Sequence, residues 1–254
     1  MSTQLPLSGK VAIVTGSSRG IGAGIALHLG EKGAKVTVVY SSPRSEAGAK
    51  EVASKIKASG SQAIVVQADL GNVDAPTKIV SETIKAFGEK IDILVNNAGV
   101  LFSKSILETT AEDYEAIFSV NVRAPLLTTK AVVPYLRAPG RIINISSIGA
   151  RQGLESLAMY SASKAALEGM TRGLAAELGS SGHTVTAVAP GPVKSDMLDD
   201  VPAEIVELQL KTTPVEHRHG TVDDIVQVVG WLSEERSRWI SGQTISASGG
   251  YQML

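Results

Sequence analysis

The sequence predicts an α/β protein in which a parallel sheet is covered by helices on both faces. Short apolar runs rich in β-branched residues alternate along the chain with longer segments whose apolar residues recur every three or four positions. The first such run, residues 11–14, is followed by a glycine-rich turn and then by a helical pattern. The 254 residues show no compositional shift that would mark a second domain, so we expect one domain spanning residues 1–254.

This alternation also predicts the order of the elements. Strands are predicted at residues 11–14, 35–40, 63–66, 91–95, 142–145, 184–188 and 243–247. Helices are predicted from the glycine-rich turn to Gly33 and at residues 46–59, 73–87, 111–133, 160–178 and 222–233, the fourth with an interruption around Pro125. Ligands of such sheets bind outside the carboxyl ends of the strands. Five groups each follow a strand and are expected at that edge: Gly16, Asp69, Asn96, Ser147 and Pro190.

The composition disfavours several classes of protein. Hydrophobic residues make up 43% and charged residues 19% of the chain, which favours a folded domain over disorder. The net charge of −1 disfavours a nucleic-acid surface, and no apolar run reaches the length of about 18 residues that a membrane span needs. The first residues lack the pattern of a signal peptide. We therefore expect a soluble, cytoplasmic protein with no nucleic-acid or membrane partner.

Metal and thiol chemistry are not predicted. The chain contains no cysteine, which removes disulfides, thiolate nucleophiles and Cys-ligated zinc. Its four histidines show no metal-ligand spacing, and residues 217–219 are interpreted as a solvated turn.

The glycine-rich turn predicts a phosphate site. Gly16, Gly20 and Gly22 follow the spacing Gly-x-x-x-Gly-x-Gly between the first strand and the first helix. Such a turn lets the backbone approach a phosphate closely, and the helix N-terminus adds N–H donors and the positive end of its dipole. A structural turn without a ligand is the alternative interpretation.

Tyr160 and Lys164 predict a site of proton transfer. On a helix, residues four apart lie on the same face, so the phenol and the ammonium group can reach one site. A phenol titrates near pH ~10 in water, and a nearby cation is expected to lower that pKa. Ser147, at the end of the preceding strand, can hold a carbonyl oxygen beside the phenol. The alternative is a helix with one exposed Tyr and one exposed Lys.

Taken together, these motifs resemble those of the short-chain dehydrogenase/reductases over residues 10–250. The matching motifs are Thr15-Gly16-x-x-x-Gly20-x-Gly22, Asn96-Asn97-Ala98-Gly99, Ser147, Tyr160-x-x-x-Lys164 and Pro190-Gly191. The resemblance implies a doubly wound, three-layer Rossmann-type sandwich with a seven-stranded parallel sheet. It also implies reversible hydride transfer between a nicotinamide nucleotide and a ketone or secondary alcohol. Relatives of this appearance include 3-oxoacyl-thioester reductases and polyhydroxynaphthalene-type ketoreductases, and the sequence does not choose between them.

The resemblance assigns a role to each matching residue. It implies that Tyr160 is the proton donor, that Lys164 lowers the Tyr160 pKa and contacts the nicotinamide ribose, and that Ser147 orients the carbonyl. Asn121 is implied as a fourth catalytic residue that holds a water. Residues 10–100 would form the cofactor half and residues 101–250 the catalytic and substrate half. The residues expected to bind the cofactor are Gly16, Ser18, Arg19, Gly20, Ile21, Gly22, Tyr40, Ser41, Ser42, Asp69, Leu70, Asn96, Ala98, Gly99, Tyr160, Lys164, Pro190, Gly191, Val193 and Ser195.

The tip of the second strand favours NADP(H) as the cofactor. In dinucleotide-binding folds an acidic residue at this tip accepts hydrogen bonds from the ribose of NAD. Here the strand ends in Tyr40, Ser41 and Ser42, with no carboxylate. The two serine hydroxyls can donate to a 2′-phosphate, and Arg19 can pair with it as a fork. A site that accepts both nucleotides is the alternative.

The substrate and the assembly are predicted only in outline. A lid is expected at about residues 195–215, opposite a wall formed by residues 148–159, and both segments contain apolar residues. The alternatives to a carbonyl reductase are an alcohol or polyol dehydrogenase working in the oxidative direction and a non-catalytic nucleotide sensor. A homo-oligomer, tetramer or dimer, is expected from the resemblance, and Trp231 and Trp239 are candidates for its interfaces.

Overall fold

The protein is a seven-stranded parallel sheet with helices on both faces, as predicted. A computed structural model describes residues 5–194 and 203–253. The strands are β1 (Val11–Val14), β2 (Lys35–Tyr40), β3 (Ala63–Gln67), β4 (Ile91–Asn96), β5 (Leu136–Ile145), β6 (Thr184–Pro190) and β7 (Thr244–Ala247). Their order across the sheet is β3-β2-β1-β4-β5-β6-β7. All neighbouring pairs are parallel, which confirms the predicted Rossmann-type fold.

The α-helices occupy the connections between the strands. They are α1 (Gly20–Glu31), α2 (Glu46–Ala58), α3 (Ala75–Phe87), α4 (Ala111–Phe118), α5 (Ala124–Val132), α6 (Ala158–Leu178), α7 (Ala203–Thr212) and α8 (Val222–Leu232). A π-helical segment, Ser119–Arg123, joins α4 to α5.

The sheet forms a separate apolar core on each face. Because side chains of a strand alternate between faces, Val14 packs in the core beneath α1, α2 and α8, while Ile13 packs in the core beneath α3, α5 and α6. The strands are therefore apolar on both sides, which is typical of a parallel sheet covered by helices.

The strand order reverses at β1. Val14 is paired with Val38 of β2 on one side and with Val95 of β4 on the other. The connection after β1 runs to β2 on one side, and the connection after β4 runs to β5 on the other, which opens a crevice beyond the carboxyl ends of β1 and β4. This is the topological position at which doubly wound folds bind their ligands.

The structure corrects the predicted interruption of the helix at residues 111–133. The irregularity lies just before Pro125, in Ser119–Arg123, and Pro125 itself lies in the first turn of α5. Proline cannot donate a hydrogen bond to the carbonyl four residues earlier and its ring clashes with that carbonyl, so the preceding turn widens.

Three further differences concern strand length, α7 and the histidine turn. β5 begins at Leu136, six residues earlier than predicted, and includes a register shift opposite β4. α7 was not predicted, because its apolar residues were interpreted only as part of a lid. His219 is 3% exposed, so the prediction of a solvated turn is wrong for this residue.

Neither a membrane-spanning helix nor a metal-binding cluster occurs in the described residues. No helix in residues 5–194 and 203–253 is long and apolar enough to cross a membrane. In the same residues, no cluster of three or more His, Asp or Glu side chains is arranged to hold a metal ion.

Candidate active site

Tyr160 lies in the first turn of α6, beyond the carboxyl edge of the sheet. Burial raises the pKa of its phenol above the ordinary value of 10.0, and a hydrogen bond with Ser147 opposes this rise. The predicted net lowering of the Tyr160 pKa is therefore wrong. Desolvation penalises the phenolate, and no effect of the Lys164 ammonium on the phenol is resolved at its distance of 5.8 Å between Nζ and the ring centroid.

Lys164 lies one turn further along α6 and is fully buried. Its Nζ donates a hydrogen bond to the carbonyl of Ile145, the last residue of β5, at 2.8 Å. Burial lowers the pKa of this ammonium group from 10.5 to about 8. The side chain can therefore gain or lose a proton close to neutral pH.

Ser147 follows β5 and caps a short 3-10 turn, Ile148–Ala150. Its hydroxyl oxygen accepts a hydrogen bond from the backbone N–H of Gly149 at 3.1 Å. A Cβ atom at Gly149 would lie 3.3 Å from the Ser147 oxygen and 3.4 Å from the Tyr160 ring. The glycine thus leaves room for the serine and the phenol to come together.

Asn121 lies in the π-helical segment and is buried. Its amide group donates to the Val100 carbonyl at 2.9 Å and to the Ser163 hydroxyl at 3.0 Å, while its oxygen accepts from the Val100 N–H at 2.8 Å. The side chain therefore ties the turn after β4 to α6. Pro125 has no N–H for the Asn121 carbonyl, so that carbonyl lacks its α-helical partner.

The glycine-rich turn is packed directly on the turn that follows β4. Gly16 has a φ of 63°, and a Cβ atom at this position would lie 2.9 Å from the Ala98 Cα. A Cβ at Gly22 would collide with the Gly16 carbonyl and the Asn97 side chain. Both glycines are thus required by close approach of the backbone.

Thr15 and Asn97 hold these two turns together, and sequence reasoning did not assign them a role. The Thr15 hydroxyl oxygen accepts hydrogen bonds from the backbone N–H groups of Asn97 and Ala98, each at 3.0 Å. The Asn97 amide donates to the carbonyls of Thr15 at 2.9 Å and of Gly16 at 3.1 Å. Their positions inside the two turn motifs were the available signal.

The N-terminus of α1 fits a phosphate-bearing cofactor. Its first turn contains no acidic residue, and Arg19 at the N-cap position provides no side-chain cap. Gly20 has a φ of 57°, and a Cβ at this position would meet nothing within 4 Å. The helix therefore offers N–H donors beside open space, and Ser18, Ile21 and Gly22 adjoin the same turn.

At the tip of β2 only some of the predicted contacts face outward. The Tyr40 side chain is buried in the core, so only its backbone lies at the edge. Ser41 is exposed, Ser42 is half-buried, and Arg19 is exposed at the start of α1. No carboxylate follows directly on this strand before Glu46, the first residue of α2.

The predicted adenosine contacts after β3 and β4 are already partly engaged within the protein. Asp69 is exposed, and its Oδ1 accepts from the Gly71 N–H at 3.0 Å, whereas Leu70 is buried. The Asn96 amide donates to the Asn144 side-chain oxygen at 2.9 Å within the sheet. Asn96 therefore offers its backbone, and not its side chain, to the crevice.

Gly99 lies beside the catalytic candidates. A Cβ atom there would lie 3.3 Å from both the Asn121 Oδ1 and the Lys164 Nζ. The turn after β4 thus passes directly over both side chains.

The residues that follow β6 form the last part of the carboxyl edge of the sheet. The Gly191 N–H donates to the Ala247 carbonyl at 3.0 Å, and a Cβ at Gly191 would lie 2.9 Å from Ser248. Pro190 ends the strand, and Val193 is buried and bridged to Gly220. Ser195 and the first part of the predicted lid lie outside the described residues.

The described part of the lid is α7, which carries exposed apolar side chains. Ile205 is 47% and Leu208 57% exposed, and on the opposite wall Leu154 is 37% exposed. Leu154 packs close to the turn that holds Ser147, since its Cδ1 lies 3.6 Å from the position of a Cβ on Gly149.

Comparison with known proteins identifies the family. Residues 16–252 match a family model described as enoyl-(acyl carrier protein) reductase. The chain is 43% identical over 248 residues to a short-chain dehydrogenase/reductase of a Cladobotryum species, and the alignment covers 95% of each chain. The protein belongs to the short-chain dehydrogenase/reductase family.

This short-chain dehydrogenase/reductase is also similar to proteins named for reduction of polycyclic compounds. It is 41% identical over 256 residues to the hydroxynaphthalene reductase of Aspergillus fumigatus, covering 96% of this chain and 93% of the relative. Its structure matches that of an angucycline C-6 ketoreductase with bound NADP at a TM-score of 0.90 and 36% identity, covering 97% and 96% of the two chains. The resemblance predicted from the sequence motifs is confirmed.

Proposed function

We propose that this short-chain dehydrogenase/reductase is an NADP(H)-dependent carbonyl reductase. The observation that carries the proposal is the convergence of Ser147, Tyr160 and Lys164 at the carboxyl edge of the sheet. The same edge holds the N-terminus of α1, which presents N–H donors to a phosphate. The related hydroxynaphthalene reductase and angucycline ketoreductase support the same reaction class.

In this proposal Tyr160 donates the proton to the carbonyl oxygen. Because burial raises its pKa, the phenol is neutral at physiological pH and carries a proton to give. The Ser147 hydroxyl holds the substrate oxygen next to the phenol and stabilises the charge that develops on it. The nicotinamide cofactor, when bound, supplies the hydride.

Lys164 and Asn121 would return a proton to Tyr160 after each turnover. With a pKa of about 8, Lys164 exchanges protons readily near neutral pH. The Asn121 carbonyl, deprived of its α-helical partner by Pro125, is a suitable acceptor for a water that links Lys164 to solvent. The backbone of Asn121 is the group proposed for this role, since its side chain is hydrogen-bonded to Val100 and Ser163.

The remaining cofactor contacts follow from the surrounding turns. We propose that Arg19, Ser41 and Ser42 bind the 2′-phosphate, because the β2 tip offers hydroxyls and a guanidinium and no carboxylate. The NADP bound by the related ketoreductase supports this preference. Lys164 would contact the nicotinamide ribose. The backbone after Gly191 would contact the carboxamide of the nicotinamide.

For the substrate we propose a ketone on an apolar, polycyclic framework. The exposed apolar side chains of α7 and Leu154 favour such a framework, and two of the relatives are named for compounds of this type. A 3-oxoacyl thioester is the competing substrate class. Both classes offer a carbonyl that the Ser147 and Tyr160 hydroxyls can reach.

A panel of polycyclic ketones and 3-oxoacyl thioesters, assayed by nucleotide absorbance, tests the proposal. We expect reduction with NADPH at a catalytic efficiency at least ~10-fold above that with NADH, which corresponds to ~1.4 kcal/mol of transition-state binding. Arg19→Ala should reduce this preference by weakening NADPH, whereas Arg236→Ala, a control on the surface beyond α8, should not. A preference for NADH would overturn the cofactor assignment, and tight nucleotide binding without turnover of any compound would favour a sensor.

We also propose a cytoplasmic homotetramer with a single domain and a lid at about residues 195–215. The family resemblance motivates the assembly, and Trp239, which is 96% exposed in the single chain, suits a subunit contact. Light scattering at micromolar concentration tests it, and a monomer mass would reject it.

A further inference from the structure

A buried carboxylate on α6, that of Glu168, accepts hydrogen bonds from the turn that carries Ser147. The sequence alone did not identify this residue. Glu168 is 3% exposed and lies one turn beyond Lys164 on α6. Its Oε1 accepts a hydrogen bond from the Ser146 hydroxyl at 3.1 Å, and its Oε2 accepts one from Arg151 Nε at 2.8 Å.

These two partners stand at the two ends of the catalytic turn. Ser146 immediately precedes Ser147, and Arg151 immediately follows the 3-10 turn that Ser147 caps. The two carboxylate oxygens therefore hold both ends of a six-residue loop, and a single-acceptor side chain would hold only one. The Ser146 hydroxyl also lies 3.4 Å from the Lys164 carbonyl, which brings the same end of the loop to the same helix.

Glu168 lies on the same face of α6 as the catalytic candidates. Tyr160, Lys164 and Glu168 are spaced by four residues, so their side chains follow one another along α6. A rigid helix fixes the distance between the phenol and the carboxylate, and the carboxylate fixes the loop. The position of the Ser147 hydroxyl relative to the phenol is then set through Glu168.

We propose that Glu168 and Arg151 are positioning residues that hold the Ser147 hydroxyl at the Tyr160 phenol. The inference rests on the proposed carbonyl reduction, in which these two hydroxyls share the substrate oxygen. A displacement of about 1 Å in such a pair can cost about 100-fold in rate, so the fastening has a direct effect on turnover.

A double substitution separates positioning from stability. Arg151→Met alone leaves a buried, unpaired carboxylate and should destabilise the fold, whereas replacing both members of a buried pair by apolar residues is often neutral. The Arg151→Met/Glu168→Leu variant should therefore melt close to the wild-type protein. We expect its kcat for the ketone to fall at least ~10-fold, with the KM for NADPH changed less than about twofold.

A coupling test with Ser147 makes the result specific. In a Ser147→Ala background the same two substitutions should change kcat less than about twofold, because the hydroxyl that they position is already absent. The control pair Arg141→Met/Glu235→Gln removes a 2.9 Å ion pair of β5 away from this turn and should leave kcat near the wild-type value. Full kcat in the stable double variant, or an undiminished loss in the Ser147→Ala background, would overturn the proposal.

A titration without substrate keeps this inference testable if no ketone is reduced. Ultraviolet difference titration, with Tyr160→Phe subtracted to remove the other tyrosines, reports the ionisation of Tyr160. Loss of the Ser147 hydrogen bond should raise the Tyr160 pKa, because that bond now opposes the effect of burial. Lys164, whose Nζ lies 5.8 Å from the centre of the Tyr160 ring, is retained in both variants, and removing both members of the Arg151–Glu168 pair leaves the net charge unchanged. We expect equal upward shifts in Ser147→Ala and in the double variant; an unchanged midpoint in the double variant would refute the positioning role whether or not the enzyme reduces ketones.

Discussion

The amino and carboxyl ends of the sheet each bury a charged side chain, with opposite arrangements around it. At the amino end, Asp92 of β4 is 2% exposed and accepts hydrogen bonds from Arg137 at 2.6 and 2.7 Å and from Lys10 at 3.1 Å. The Val11 N–H adds a fourth at 2.9 Å. Burial alone would raise the Asp92 pKa, but these hydrogen bonds lower it below its ordinary value.

At the carboxyl end, Lys164 is buried without such compensation. Its Nζ donates to one backbone carbonyl, and within residues 5–194 and 203–253 no carboxylate pairs with it. Its pKa consequently falls to about 8. A buried group therefore stays ionised where hydrogen-bonding partners are supplied, as for Asp92, and can exchange a proton near neutral pH where they are withheld, as for Lys164.

The largest expected effect is on turnover at the carboxyl end. Tyr160→Phe should retain the fold and lose ~10²–10⁴-fold in kcat, because it removes the positioned acid and little else. Initial rates with the best ketone of the panel measure this effect. Asp92→Asn should keep its kcat below its melting temperature, and a Tyr160→Phe enzyme as active as the wild type would refute the mechanism.

The next largest effect is on stability at the amino end. Asp92→Asn should lower the free energy of unfolding by ~3 kcal/mol, at the low end for a broken buried ion pair, since its two cations can still reach water. Urea unfolding at pH 7 measures this change. Lys10→Met removes only a partly exposed partner and should cost less than ~1 kcal/mol. Equal losses for the two variants would contradict the assignment of Asp92 as the buried centre of the network.

The pH dependence of stability should report Lys164. Its pKa is about 8 in the folded protein and 10.5 ordinarily, so the unfolded chain binds more protons between these values and stability rises with pH there. From pH 8 to 10 this gain amounts to ~2 kcal/mol. Urea unfolding of wild type and Lys164→Met at pH 8, 9 and 10 isolates the contribution, and identical slopes for the two proteins would show that Lys164 is not desolvated.

The smallest expected effect is a gain in stability on losing the catalytic lysine. At pH 7 Lys164→Met relieves ~3 kcal/mol of desolvation and loses a charge-assisted hydrogen bond of ~2 kcal/mol, which leaves a gain of ~1 kcal/mol. Turnover should be lost and nucleotide affinity reduced in the same variant. A clear destabilisation of Lys164→Met would show that Lys164, like Asp92, stabilises the fold.

The succession of strands and helices along the chain and the place of the site could be predicted because both depend on local patterns. Apolar runs identify buried parallel strands, and each polar turn that follows such a run must lie at the same edge. The spacing of Tyr160 and Lys164 likewise determines a shared helix face. These inferences need no knowledge of which side chains meet across the fold.

The electrostatic state of the site could not be predicted in this way. Whether Lys164 lowers the Tyr160 pKa depends on the balance between burial and a charge at a distance, and only packing determines both. Glu168 occupies a position that resembles any charged residue on a helix, and its burial becomes evident only when the loop from Ser146 to Arg151 is in place. The interruption predicted around Pro125 is a π-helical segment that ends at Arg123, because proline acts on the turn before it.

The hydrogen bonds between Thr15 and the Asn97-Ala98 turn determine how the glycine-rich turn and the turn after β4 can separate. One hydroxyl oxygen accepts both backbone N–H groups, and the Asn97 amide returns two hydrogen bonds to the glycine-rich turn. Neither turn can separate from the other without breaking all four bonds at once. The amides of Asn97 and Ala98 should therefore show the same free energy of opening in deuterium exchange, as a single cooperative unit that includes the glycine-rich turn.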